Sequence, residues 1–319
     1  MNTDERPKVV VIGGGTGLSV LLRGLKTLPL DITAIVTVAD DGGSSGRLRD
    51  ELKIPPPGDV RNVLLALSEA EPLFNALMQH RFKNGNGLSG HALGNLIIAA
   101  MTDITGDFFK AITEFSRVLN VKGKVLPASN QSIILNAVMT DGTVVSGESK
   151  IPLSNKKIKR VFLTPKQIKP LPETLKAIAQ SDLIVLGPGS LYTSILPNLL
   201  VPGIADEIKK AQAKKVYICN MMTQRGETDD YCASDHVQAL ADHCGRTLID
   251  TVIVNDASIP EEIAALYALE GAKPVICDLD RLKSLGYDII NGTFIQYSNK
   301  LIRHDMKKVA NVLLSLISP

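Results

Sequence analysis

A run of glycines near the start of the chain is the clearest chemical signal: Gly13, Gly14 and Gly15, followed by Thr16 and Gly17. The run lies between an apolar stretch of strand type and one of helix type. Glycines let a backbone approach a phosphate closely, and a helix N-terminus offers free N–H groups. The full dinucleotide fingerprint and the P-loop lysine are both missing. We expect a phosphate-binding loop, and a tight turn without a ligand is the alternative.

A pair of carboxylates, Asp40 and Asp41, ends the second apolar stretch, and Gly42, Gly43 and Ser44 follow directly. An acidic residue here often binds the ribose hydroxyls of a dinucleotide such as NAD. Paired aspartates can instead hold a divalent cation such as Mg²⁺ together with phosphate oxygens. The pattern leaves three interpretations open: a ribose site, a metal site or an empty turn.

Three prolines precede a polar cluster of Asp59, Arg61 and Asn62 and hold it in a rigid position, because proline fixes the backbone φ angle. Asp59 is placed to cap the helix that follows. We also count Asp59 and Asn62 among the ligand-binding candidates. If the protein has a metal site, Asp41 and Asp59 are its candidate ligands.

A second strand–glycine–helix unit begins at residue 187. Its backbone N–H groups and hydroxyls suit a phosphate or a sugar, and a plain helix cap is the alternative. The candidate residues of this unit are Gly187, Gly189, Ser190, Tyr192 and Thr193. Asn198 lies about two helical turns further on, and we expect its amide to contact a base or a sugar.

Further polar candidates follow later strands. Asn220 and Thr223 should lie near both glycine loops, because ligands in open α/β sheets bind outside the carboxyl ends of strands. Arg303 can hold a phosphate through two parallel hydrogen bonds, or it can form a surface ion pair. Asp305 is placed to cap the last helix.

His91 and Asn95 are four positions apart, which predicts one shared helix face. Asn95 is a ligand-binding candidate, whereas His91 is equally well explained as a buried histidine near a helix start. The sequence has no Gly-x-Ser-x-Gly elbow and no HExxH motif. Catalytic residues therefore stay unassigned.

The elements that position these residues alternate between strands and helices. Continuous apolar runs such as residues 8–12, 32–39 and 182–186 predict strands that are covered on both faces. Apolar stripes predict helices between them, among them Leu93, Leu96, Ile97 and Ala100. This alternation predicts an α/β fold, a Rossmann-related doubly wound and mainly parallel sheet.

One section breaks this alternation and predicts a small antiparallel β insertion at about residues 121–165. Strand-like stretches flank Asp141-Gly142, which is a strong hairpin signal. The basic run 156–160 is interpreted as a protected strand edge, and binding of a phosphorylated partner is the alternative. The C-terminal residues 305–317 predict an amphipathic helix that packs on the core, or forms a homodimer contact.

Composition excludes several classes of partner. The chain has 319 residues, and its length alone predicts about two domains. The pattern of strands and helices instead favours a single domain over residues 1–319. A net charge of +2 and 4% aromatic residues argue against nucleic-acid binding. No apolar stretch is long enough to span a membrane, no signal sequence is visible, and the four cysteines lack CxxC spacing. These features indicate a cytoplasmic protein.

Seven segments together resemble the CofD-like (UPF0052) family over nearly the whole chain. They are residues 12–25, 35–49, 55–62, 90–95, 187–200, 218–226 and 303–305. The resemblance implies a CofD-like fold and, for the regulatory branch it matches best, a role in gluconeogenic growth, cell shape and cell-wall precursor supply. It also implies a nucleotide-sugar ligand, first of all UDP-N-acetylglucosamine, and protein partners in cell-wall or carbon-metabolism control.

The chain departs from the family's transferases at one point. Where they carry a second group of carboxylates, this chain has Asp59 close to Arg61. The departure favours a ligand-binding regulator, expected as a homodimer and without a certain resident cofactor. A metal-dependent CofD-like phosphotransferase that uses Asp40, Asp41 and Asp59, and an NAD-type dinucleotide-binding protein, are the alternatives.

Overall fold

The computed structural model describes residues 6–298 and 301–317. Its strands are β1 Lys8–Gly13, β2 Asp31–Val36, β3 Lys124–Pro127, β4 Ile134–Met139, β5 Val144–Ser146, β6 Ile158–Thr164, β7 Leu183–Leu186, β8 Lys214–Ile218, β9 Thr251–Asn255, β10 Asp288–Gly292, β11 Ile295–Ser298 and β12 Leu301–His304.

Its helices are α1 Gly15–Leu25, α2 Gly43–Leu52, α3 Gly58–Leu67, α4 Pro72–Gln79, α5 Leu93–Thr105, α6 Phe108–Val118, α7 Pro172–Ala179, α8 Leu196–Leu199, α9 Ile204–Lys210, α10 Ala233–Cys244, α11 Glu261–Leu269, α12 Leu279–Ser284 and α13 Met306–Ser315. Helices lie on both sides of the main sheet, so the predicted doubly wound α/β fold is confirmed. No helix of the described residues is long and apolar enough to cross a membrane.

Seven parallel strands form the main sheet, in the order β10-β9-β8-β7-β1-β2-β3. β1 is buried along five of its six residues and β7 along all four, as continuous apolar runs predict for strands covered on both faces. The order reverses between β1 and β7, which pair directly. Ligands bind at such a switch point, outside the carboxyl ends of the strands.

The antiparallel insertion is smaller than predicted. β4, β5 and β6 form a separate three-stranded sheet in the order β5-β4-β6, and the hairpin at Asp141-Gly142 is present. β3, which we assigned to the insertion, instead pairs in parallel with β2 at the edge of the main sheet. A four-residue strand carries too few positions to show whether it belongs to a parallel or an antiparallel sheet.

The predicted buried face of α5 was wrong. Leu93, Leu96 and Ile97 are only partly buried and Ala100 is exposed, whereas the buried face includes Asn95 and Ile98. A polar side chain lies on the buried face because it finds hydrogen-bond partners there, as described below. The C-terminal helix α13 packs on α1 and is capped by Asp305, whose Oδ1 accepts the Lys308 N–H at 3.2 Å, as predicted.

Candidate functional site

A cleft of about 630 Å³ opens at the switch point between β1 and β7. Four parts of the chain form its walls: the first glycine loop, the loop after β7, the loop after β8, and the segments around α11 and β12. Among the predicted site residues, those that line the cleft are Gly14, Gly15, Thr16, Gly17, Gly189, Ser190, Asn220, Thr223 and Arg303. Loops distant in sequence therefore converge on one volume, as the strand order requires.

The first glycine loop needs glycine at two positions for different reasons. Gly15 opens α1 with a φ of +66°, a conformation that other residues adopt only with strain. At Gly17 a Cβ would lie 2.9 Å from the Pro188 carbonyl oxygen, so the two glycine loops touch there. No side chain caps α1, whose N-cap is Gly14. The N–H groups of this first turn, apart from that of Gly15, which Asp59 accepts, can therefore donate to a ligand anion.

The loops after β7 and β8 present a chain of side-chain hydrogen bonds. Gln224 Nε2 donates to Ser190 Oγ at 2.7 Å, and Asn220 Nδ2 donates to Gln224 Oε1 at 3.5 Å. Asn220 Oδ1 is buried and has no hydrogen-bond partner among the described residues. A buried acceptor without a donor is costly, so this oxygen is a natural contact for a ligand N–H or O–H group.

The opposite wall of the cleft is formed by α11 and β12. Tyr267 accepts the Ile302 N–H at its hydroxyl at 2.8 Å, which ties the helix to the strand beside the exposed Arg303. His304 donates from Nε2 to the Cys219 carbonyl at 3.1 Å. Burial lowers the pKa of His304 to about 4, so its imidazole is neutral and leaves Nδ1 as an acceptor. The cation of this wall is therefore Arg303.

Three predicted ligand contacts lie behind the cleft instead. Tyr192 hydrogen-bonds with the Tyr231 hydroxyl at 2.7 Å, and Thr193 donates to the Glu227 carboxylate at 3.2 Å. Asn198 donates from Nδ2 to the carbonyls of Gly13 at 3.0 Å and of residue 194 at 2.8 Å. All three are buried and lie outside the cleft lining, and the hydroxyls and the Asn198 amide N–H groups bond to the protein itself, so direct ligand contact at these residues stays a prediction.

Gly13 and Gly187 also lie outside the cleft lining. They face one another across the β1–β7 pair, since a Cβ on Gly13 would lie 3.9 Å from the Gly187 Cα. Gly187 has a φ of +84° and starts the turn into the second loop. These two glycines shape the loops and make no part of the cleft surface.

The second predicted loop, residues 40–44, lies outside the cleft lining, so its role as a ligand site stays a prediction. Asp40 Oδ1 accepts the Gly42 N–H at 2.8 Å, and Asp41 Oδ1 accepts the Ser149 N–H of the insertion at 2.8 Å. Gly43 starts α2 with a φ of +43°. The carboxylates thus shape the loop and attach the insertion to it.

Ser44 lies in a buried polar network with Arg61 and Asn95. Asn95 donates from Nδ2 to Ser44 Oγ at 3.1 Å and accepts from Arg61 at 2.7 Å, and His91 Nδ1 lies 3.1 Å from Ser44 Oγ. Asn62 accepts a second Arg61 bond at 3.0 Å. Asn62 and Asn95 therefore hold Arg61 and lie outside the cleft lining, and their ligand-binding role stays a prediction. His91 precedes α5, so the two residues meet through Ser44 and share no helix face.

Asp59 connects this network to the cleft. It lies in the first turn of α3 without capping it, contrary to prediction, and accepts the backbone N–H of Gly15. Burial, then the charge of Asp40, raises the pKa of Asp59 to about 6. A Cβ on Gly14 would lie 2.5 Å from Asp59 Oδ2. Asp59 is therefore directly behind the phosphate-type loop, where its proton state affects the electrostatics of the loop.

The carboxylates behind the first glycine loop have partners within the protein. No group of three or more His, Cys, Asp or Glu side chains in the described part of the chain is arranged to hold a metal ion. Glu148 of the insertion lies near Asp40, Asp59 and Asp41, and burial followed by these charges raises its pKa. Asp41 binds the insertion and Asp59 binds Gly15, so the two proposed ligands have protein partners already.

The chain's relationships follow from its sequence. Residues 9–295 match the family described as 2-phospho-L-lactate transferase CofD. The chain belongs to the CofD family. Within the CofD family, a protein named Gluconeogenesis factor from Bacillus subtilis (strain 168) is 64% identical over 313 residues, which cover 98% of this chain and 99% of that protein. The predicted resemblance is confirmed.

Two further CofD-family relatives agree with this assignment. A Gluconeogenesis factor from Halalkalibacterium halodurans is 64% identical over 310 residues, covering 97% of this chain and 96% of that protein. A crystal structure of a UPF0052 family member from Bacillus halodurans, also 64% identical, matches this fold with a TM-score of 0.95 and covers 97% of this chain and 100% of that one.

Several cleft residues of this CofD-family chain were not predicted as site residues. They are Gln224 and Arg225 of the loop after β8, and Tyr267 and Glu270 of α11 and the residue that follows it. Tyr267 had no recognisable sequence signal, because α11 and β12 carry no glycine motif. The position of Arg303 alone indicated that the C-terminal part of the chain returns to the cleft.

Proposed function

We propose that the cleft binds a nucleotide sugar, with UDP-N-acetylglucosamine as the first candidate, and that the protein acts as a ligand-binding regulator of gluconeogenic growth, cell shape and cell-wall precursor supply. The observation that carries the proposal is the convergence of two glycine loops and Arg303 on one cleft of about 630 Å³. This volume lies within the usual range for a small-molecule site.

The geometry suggests how such a ligand would be held. The diphosphate would bind the N–H groups of the first turn of α1 that follow Gly15, whose own N–H is held by Asp59, and the guanidinium of Arg303. The unpartnered Oδ1 of Asn220 would accept from a base or sugar donor. The small net charge of the chain is compatible with an anionic ligand, because backbone N–H groups and single cations of the cleft would bind it.

The regulatory part of the proposal draws on the relatives. Two proteins that are 64% identical carry the name Gluconeogenesis factor. The described cleft also lacks a nucleophile paired with a base: Ser190 accepts from Gln224, and His304 is engaged with a backbone carbonyl. Protein partners in cell-wall or carbon-metabolism control would then receive the signal.

Calorimetry tests ligand binding directly. UDP-N-acetylglucosamine should bind with measurable heat, whereas NAD and GTP should not. Asn220→Ala should weaken binding about tenfold through loss of the cleft acceptor. Asn311→Ala, an exposed asparagine on α13, is the matched control and should bind normally. Absence of heat and of thermal stabilisation at millimolar UDP-N-acetylglucosamine would refute the proposal.

A CofD-like phosphotransferase is the second candidate function, favoured by the family match over residues 9–295 and by Asp59 behind the glycine loop. Mass spectrometry of nucleotide substrates incubated with the protein and Mg²⁺ would detect a transfer product. Asp59→Asn should abolish that product. A complete lack of product with the wild-type protein would leave the regulator as the better account.

A further inference from the structure

The β insertion carries a charge opposite to that of the rest of the chain. Residues 128–170 contain seven lysines and arginines against two acidic residues, although the whole chain has a net charge of only +2. Six of these cations lie within residues 156–169, named here the basic segment, which has no acidic residue. All six are exposed, and only Lys156 forms an ion pair, with Asp141 at 2.7 Å, in the described residues.

One face of the insertion sheet is buried and the other is partly open to solvent. The buried face includes Leu135, Ala137 and Leu163. The part of the opposite face that reaches solvent, named here the outer face, consists of Ile134, Val138, Val144, Arg160 and Phe162, whereas Asn136 on the same side is buried. Strand register places Val144, Val138 and Arg160 side by side across it. Ile134 is 38% and Val144 57% exposed, so aliphatic side chains face solvent among the cations.

We propose that the outer face and the basic segment together form a docking surface for an acidic segment of a partner protein. The proposal rests on the proposed regulatory function, since a regulator needs a surface through which another protein reads its state. Uncompensated cations favour an acidic partner and raise its association rate, while the exposed aliphatic residues provide contact area.

Charge and shape favour a protein over other polyanions. The single aromatic ring of the outer face, Phe162, is covered by the Arg160 guanidinium, 5.9 Å from its centroid, so it is not free to stack on a base. A membrane would be bound by an amphipathic helix with large apolar side chains. The outer face is a short sheet with two aliphatic residues that are strongly exposed.

The docking surface is physically continuous with the cleft. Pro152, in the turns between β5 and β6, lines the cleft, and Gly226 of the β8 loop packs so closely that a Cβ there would collide with the Pro152 carbonyl. The Ser149 N–H is held by Asp41. A ligand that shifts the cleft wall would therefore also move the segment that leads into β6. This contact would couple ligand occupancy of the cleft to partner binding at the docking surface.

Fluorescence anisotropy tests the docking surface with a labelled 14-residue peptide of alternating glutamate and leucine. The protein should bind it with a Kd of about 10–100 µM at low salt. Lys159→Glu with Lys166→Glu should weaken binding about tenfold, and Val144→Asp should also weaken it. The control, Lys83→Glu with Lys283→Glu, makes the same charge change on exposed lysines elsewhere and should bind normally.

The remaining outcomes are equally decisive. A peptide with glutamine in place of glutamate should bind at least about tenfold more weakly. No binding of the acidic peptide, or equal loss in the control variant, would overturn the proposal. Tighter binding of RNA or of anionic phosphatidylglycerol vesicles with the same dependence on Lys159 would also overturn it. UDP-N-acetylglucosamine calorimetry on the same variants should be unchanged, which separates failure of docking from failure of ligand binding.

Discussion

The side chain of Asn198 donates to the main-chain carbonyl of Gly13 at 3.0 Å, across 185 positions of sequence. The same amide donates to the carbonyl of residue 194, one turn back, at 2.8 Å. One fully buried asparagine therefore joins the ends of β1 and of the β7 loop. The two glycine loops are fixed relative to each other before any ligand arrives, which reduces the ordering cost of binding.

Replacing Asn198 should cost both stability and affinity. In Asn198→Ala two buried carbonyls lose their donor, so we expect a free energy of unfolding lower by roughly 2–4 kcal/mol. Chemical denaturation measures this loss, and calorimetry should show weaker UDP-N-acetylglucosamine binding by the folded fraction. Asn311→Ala removes an exposed amide and should leave both quantities within error. Equal stability of the two variants would contradict the role given to Asn198.

The close contact between the two glycine loops predicts that an alanine substitution weakens ligand binding at one glycine of α1 and is harmless at another. In Gly17→Ala the new Cβ meets the Pro188 carbonyl at 2.9 Å, so the loops must separate and ligand affinity should fall at least about tenfold. In Gly24→Ala the nearest contact is 3.5 Å, which is ordinary packing. This control should be neutral or more stable by about 0.5–1 kcal/mol, because alanine favours a helix interior. Thermal melts and ligand titrations of both variants decide the matter.

Arg303 should matter for the ligand and little for the fold. Its side chain is exposed at the cleft, so Arg303→Ala should leave the melting temperature nearly unchanged. Loss of a charge-assisted bond to phosphate should weaken nucleotide-sugar binding by about 1.5–3 kcal/mol, or 10- to 150-fold. Arg117→Ala, another exposed arginine, is the control. Unchanged affinity in Arg303→Ala would place the phosphate elsewhere.

Glu227 should make stability depend on pH. Burial raises its pKa to about 7, although it accepts from Thr193 and from the N–H groups of Tyr192 and Thr193. Between pH 4.5 and about 7 the folded protein then binds more protons than the unfolded chain, so ionisation of Glu227 lowers stability as the pH rises.

The variant Glu227→Gln removes this titration. Its free energy of unfolding should fall less between about pH 5 and pH 8 than that of the wild type, with a difference of up to roughly 3 kcal/mol. Urea denaturation at the two pH values measures it. Glu114→Gln, on the exposed surface of α6, should reproduce the wild-type profile. Parallel profiles for wild type and Glu227→Gln would show that this carboxyl titrates normally in the folded state.

The fold was largely predictable because its signals are local. Continuous apolar runs identify β1 and β7, and glycine loops at their ends identify the switch point. β3 was assigned to the wrong sheet, since a short edge strand looks the same in either setting. The apolar stripe of α5 was misleading because Asn95 is buried with Arg61 and Ser44 as partners, and no sequence pattern reports a satisfied polar network.

The cleft residues were predicted best where backbone geometry decides their position. Gly15 has a positive φ, and Gly17 closely approaches a neighbouring backbone. Both constraints require glycine, so both positions can be recognised in the sequence. Tyr192 and Thr193 follow the same motif, but the π-helical turn over Leu191–Ile195 directs them away from the cleft. Tyr267 reaches the cleft only through tertiary contact with β12, which has no local signal.

The cleft draws its walls from Gly14 at one end of the chain to Met306 near the other. During synthesis on the ribosome, the glycine loops leave the exit tunnel long before β12 does. A nascent chain therefore cannot hold the ligand with all four walls until residue 306 has emerged. The proposed ligand would thus stabilise a chain that has folded through residue 306, and would not stabilise a stalled or shorter chain in the same way.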